Sequence, residues 1–145
     1  MTKSNTYESD LLSLLLTATA IANVASSTGT ASPITDIWAS LHTADPTDSG
    51  TQGSGEANYS GYTRIAVTRS TAGFVVSSGS ASPVAAITFP EAASTTTMTL
   101  THCAFGQASA TTGGKIFYSG TISPNIAIGA GVTPRLTTGS SITED

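Results

Sequence analysis

The sequence predicts a mainly β fold: an antiparallel β-sandwich or jelly-roll-like domain of about eight strands with one N-terminal α-helix. Three observations predict it. Apolar residues recur at helical spacing only near the N-terminus, and after Pro33 short β-branched or aromatic runs alternate with Gly, Ser, Pro and Asn clusters. Of the 145 residues, 47 are Ser or Thr and only 10% are charged, against roughly a quarter charged in ordinary soluble domains. Such a surface is wetted by hydroxyls and backbone, and Thr suits a pleated, half-exposed sheet. The length suits one domain: an N-terminal arm and helix over 1–25, a β-sandwich over 34–137 and a C-terminal tail over 138–145.

In the first segment Tyr7, Leu11, Leu14, Leu15 and Ala18 recur at i, i+4, i+7, i+8 and i+11, the spacing of one helix face, and Leu12 widens it. Asn5 is the expected N-cap with Glu8 as its capping-box partner, and Glu8 and Asp10 favour the positive end of the helix dipole. The helix is expected to fade over 17–23. Its face fits packing on its own domain or docking on a neighbouring subunit. Glu8 and Asp10 outnumber Lys3 where a secretory signal should be positive, and the apolar run falls short of the ~20 residues that cross a bilayer.

Strands are predicted over 34–42, 62–69, 74–77, 85–89, 97–107, 115–122, 125–128 and 132–137. Met98, Leu100, His102 and Ala104 alternate with Thr97, Thr99, Thr101 and Cys103, so one face of that strand should be buried. Ile65 and Val67 oppose Arg64 and Ala66 in the same way, which puts Arg64 on a wet face. Pro83, Pro90, Pro124 and Pro134 fall at strand edges or in connections, where a missing N–H costs least. The longest irregular stretch, 44–62, holds Asp45, Asp48 and Glu56, three of the nine acids. A loop of that length is usually functional or mobile.

The charge pattern and the motifs give little chemistry. A net charge of −4 with five bases is the wrong balance for tracking a phosphate backbone. The single cysteine, Cys103, offers no intrachain disulfide and reads as a small packed hydrophobe. His42, Asp45 and Asp48 could in principle ligate a divalent metal, but Asp before Pro is what a turn needs. No serine sits in a nucleophile-elbow context. Gly113-Gly114-Lys115 opens a strand where a phosphate loop would require a helix, so a hairpin turn is the reading. His102 reads as a core or interface histidine, and Trp38 as a core or interface anchor. No catalytic, cofactor-binding or metal-ligating residue is assigned.

Several strings resemble, in order and spacing, a family of small structural proteins from tailed bacteriophages and prophages. They are SNTYESDLLSLL (4–15), IWASLHTADP (37–46), GYTRIAVTRS (61–70), AITFP (86–90), THCAFGQAS (101–109), KIFYSGTISP (115–124) and TPRLTTGSSITED (133–145). Family members are often labelled tail-fibre proteins. The resemblance implies a non-enzymatic virion component made in the bacterial cytoplasm. Its small all-β form with an appended helix looks like proteins that decorate or cement the capsid exterior, binding the major capsid protein as homodimers or homotrimers. A tail-fibre or spike-associated role, with loop 44–61 against the host surface, is the alternative. Interface residues expected on this basis are Tyr7, Leu11, Leu12, Leu15 and Trp38, with no cofactor, nucleic acid or membrane partner. A hydrolase of cell-wall sugars would need a carboxylate pair facing a cleft.

Overall fold

The computed structural model describes residues 4–21, 34–110 and 112–143. They form one helix and nine strands, the strands in antiparallel sheets. These fall into two compact units, one drawn from the N-terminal segment through Asp36, Val67–Ala86 and the stretch from Leu136, the other from Ile37–Ala66 and Ile87–Arg135.

The first unit is built on α1 (Asn5–Leu16) and a three-stranded sheet of β3 (Phe74–Ser77), β4 (Ser80–Pro83) and β9 (Ile142–Thr143), ordered β3-β4-β9. The helix starts one residue earlier than the capping-box pattern suggests. Ser4 is the N-cap: its backbone is extended, its hydroxyl accepts the Tyr7 N–H at 3.4 Å and its carbonyl accepts the Glu8 N–H at 3.0 Å. Asn5 is therefore inside the helix. At the other end Ala18 turns into the left-handed region at φ 56, and Thr19 N–H reaches back to the Ser13 carbonyl at 3.1 Å. The fading expected over 17–23 falls partly outside the described residues, which stop at Ile21.

The helix packs on β3 and β4, and Leu12, Leu16, Phe74 and Ala81 are all fully buried. The packed face thus centres on Leu12 and Leu16, not on the expected Tyr7–Leu11–Leu15 line. With leucine at 11, 12, 14, 15 and 16, several faces are apolar enough, and the surface they meet selects one. The β3–β4 hairpin turns through Ser78 at φ 51 and Gly79 at φ 72, the left-handed pair that a tight two-residue connection requires. Gly79 N–H also donates to Ser9 Oγ at 2.8 Å, tying the turn to the helix.

The second unit holds most of a four-stranded sheet, ordered β2-β1-β6-β7, from β1 (Asp36–His42), β2 (Ile65–Thr68), β6 (Met98–Gly106) and β7 (Ile116–Ile128). β5 (Ile87–Thr88) and β8 (Arg135–Leu136) make a separate pair. The two strands expected over 115–122 and 125–128 are one, interrupted by a bulge: His102 faces Thr121 and Leu100 faces Ile126. β4 and β9 fall where no strand was predicted, because SASP is poor in β-branched residues and the β9 pairing lies in the expected tail. Along β6, Leu100 and Ala104 are buried and Thr99 is exposed as the alternation predicts, but Phe105 is buried too, so the end of this strand is covered on both faces. Tyr59, Tyr62 and Phe89 form an aromatic group. The Tyr59–Tyr62 rings meet edge-on at 5.3 Å and Tyr62 stacks on Phe89 at 6.2 Å.

Candidate functional site

The densest polar constellation lies where loop 44–62 crosses the four-stranded sheet. Glu56 forms an isolated antiparallel bridge with His42 at the end of β1, which aims its carboxylate at Arg64. Arg64 Nε donates to Glu56 Oε1 at 2.7 Å and Nη2 to Oε2 at 2.8 Å, a bidentate pair with both side chains out of water. The remaining guanidinium donors reach the carbonyls of Ala108 at 2.8 Å and Gly113 at 3.0 Å. Arg64 is thus 3% exposed, where alternation predicted a wet face, because a carboxylate and two carbonyls take up its donors.

Tyr62 completes the clamp. Its hydroxyl donates to Glu56 Oε1 at 2.9 Å and accepts the Leu41 N–H at 3.0 Å. Burial, more than any neighbouring charge, pushes this phenol far above its ordinary pKa. Burial likewise pushes Tyr59 up to about 12, with its hydroxyl donating to the Pro90 carbonyl at 2.9 Å.

Gln52 fastens the same loop a second time. Its Nε2 donates to the Trp38 carbonyl at 3.0 Å, its Oε1 accepts the Ala108 N–H at 3.0 Å and its backbone N–H donates to the Gly114 carbonyl at 2.8 Å. It lies flat on Gly106, where a Cβ would overlap its side chain. The long loop is therefore a fixed feature of the sheet surface. Every buried side-chain polar atom among the described residues has a partner.

The chemistries weighed from the sequence are not assembled here. His42 is fully buried, with Nδ1 against the Ser54 carbonyl at 2.9 Å and Nε2 against Ser40 Oγ at 2.9 Å. The carbonyl can only accept, so Nδ1 carries the proton and Ser40 donates to Nε2. This resembles part of a catalytic triad, yet Ser40, like His42, is fully buried. Burial holds the imidazole below its ordinary pKa, with the Ser54 carbonyl opposing. Asp45 is exposed and accepts the Thr47 N–H at 2.9 Å, the turn that Asp-Pro was read to make. Among the described residues no group of three His, Cys, Asp or Glu side chains could hold a metal ion. Burial pushes the Cys103 thiol up to about 11, away from the reactive thiolate. No helix of the described residues is long and apolar enough to cross a membrane.

The residues expected at an interface divide by position. Tyr7 is 42% exposed, Leu11 and Leu15 are half-buried on the same helix, and Leu12 is wholly inside its own unit. Trp38 is half-buried on β1 in the other unit. Sequence reasoning missed Arg69, whose Nε and Nη2 cap the helix by donating to the Leu15 and Leu14 carbonyls, both at 2.6 Å. It also missed the joining of Glu56 to Arg64. In a chain with so few ionisable groups, an acid and a base eight residues apart beside one strand were the available signal.

No curated protein sequence matches the chain. A family model described as podophage GP4 fiber I protein gp80 matches residues 4–143. That match runs nearly end to end, spanning the helix, the clamped loop and all nine strands, and the chain belongs to this family of phage virion structural proteins.

Proposed function

We propose that the protein is a fibre component of a tailed-phage particle and acts by contact rather than by chemistry. The family match over 4–143 carries this reading. The geometry supports it: the most elaborate polar network is spent on fixing loop 44–62 in place, and its exposed residues, among them Asp45, Thr47 and Asp48, are offered to solvent on a rigid base. A loop held in this way meets a host surface without an ordering cost.

Capsid decoration is the second reading, in which the chain grips the major capsid protein. The half-covered helix face of Tyr7, Leu11 and Leu15 favours it, because specific interfaces centre on apolar, charge-depleted patches. Imaging of purified particles, with copy number measured by mass spectrometry against the major capsid protein, separates the two. A few copies confined to the tail are expected; density at many symmetry-related sites on the head would replace the fibre reading with decoration.

A further inference from the structure

We infer that two copies of this chain pair antiparallel along β7, around a two-fold axis at Ser119, and so join their four-stranded sheets. The inference is independent of whether the chain sits on head or fibre.

β7 ends the sheet order and has β6 as its only neighbour among the described strands. An edge of this length presents a row of backbone donors and acceptors, which proteins ordinarily blunt with charges, proline or bulges. β7 has these devices towards its two ends: Pro124 and one register shift lie beyond Thr121, and Lys115 and a second shift at Phe117 lie at its start. Between them 118–121 pairs with β6 in unbroken register and contains no charge and no proline. The opposite edge, β2, is four residues long and flanked by Arg64 and Arg69, and the other sheets have edges of two to four residues.

Gly120 points to what covers this edge. It stands in mid-strand without a left-handed φ, and a Cβ built on it meets nothing within 4 Å. Neither backbone conformation nor packing within the chain calls for glycine, which weakens a strand. A second β7 supplies the reason. Pairing centred on Ser119 sets Tyr118 of each strand opposite Gly120 of the other, so that an aromatic ring covers each glycine. Charge permits the pairing with self: Lys115 is the nearest ionisable group in sequence, and in this register the two copies of it stand eight positions apart, about 27 Å at ~3.4 Å per residue. That is well beyond the ~8 Å Debye length at physiological ionic strength.

Sedimentation of the intact chain tests the inference, using Ser119→Lys and Ser119→Glu. Ser119 is exposed, so each variant keeps its fold, checked by far-UV circular dichroism. The wild type should sediment as a dimer of the 14.5 kDa chain. Each variant alone sets like charges face to face on the axis and should weaken the dimer by at least about tenfold. An equimolar mixture of the two should restore it. A monomeric wild type, a dimer indifferent to both variants, or a mixture that fails to re-form would each overturn the pairing.

Discussion

Removing the Arg64 guanidinium would leave the Glu56 carboxylate buried without its counter-charge and strand the carbonyls of Ala108 and Gly113. Arg64→Ala should therefore cost about 3–5 kcal/mol in chemical denaturation. Replacing both partners, as in Glu56→Leu with Arg64→Met, should cost less than Arg64→Ala alone, because no charge is then left unpaired. His42 gives a pH dependence at the same scale. Burial lowers its folded pKa, so the unfolded chain takes up a proton near its ordinary value of about 6.5 while the folded chain does so only at lower pH. Stability should then fall as pH drops below about 6.5 and continue to fall to the folded pKa. Denaturant midpoints measured between pH 7.5 and 5.5 should show that slope, and His42→Gln should flatten it.

At the scale of an element, α1 is held from both sides of the chain. Its own last turn contains no base, and Arg69 supplies the cation from the residue after β2, where it meets the negative end of the helix dipole. Arg69→Ala should lower stability by about 1–2 kcal/mol and raise amide exchange in the last turn of the helix ahead of global unfolding. Leu12→Ala should cost about 2–5 kcal/mol, because that side chain is fully buried. Leu11→Asp bears on the half-covered face instead. It should leave a folded protein and reduce occupancy on particles, read by quantitative mass spectrometry; normal occupancy would remove this face from the contact.

For the whole molecule, the charge-poor, hydroxyl-rich composition, the helix near the N-terminus and the β-strands after Pro33 follow from the sequence alone, because each depends on residues close together along the chain. β3 keeps its predicted bounds, since Phe74–Ser77 lies between a glycine turn and a Ser-Gly turn. The Asp45-Pro46 turn was legible for the same local reason. What the sequence left open depends on partners far apart in it. Which leucines face inward was decided by β3 and β4, on which α1 packs. Arg64 is buried because Glu56, Ala108 and Gly113 converge on it from two loops, and β9 exists because Ile142 finds Ala81 across some sixty residues. Loop 44–62 is the clearest case: its length and polarity suggested a functional or mobile segment, and only the sheet beneath it, with Gly106 admitting Gln52 and Arg64 gripping Glu56, fixes it. Alternation and turn chemistry are written into neighbouring residues. The satisfaction of a buried charge is a property of the packed chain, and it is this that made the loop rigid.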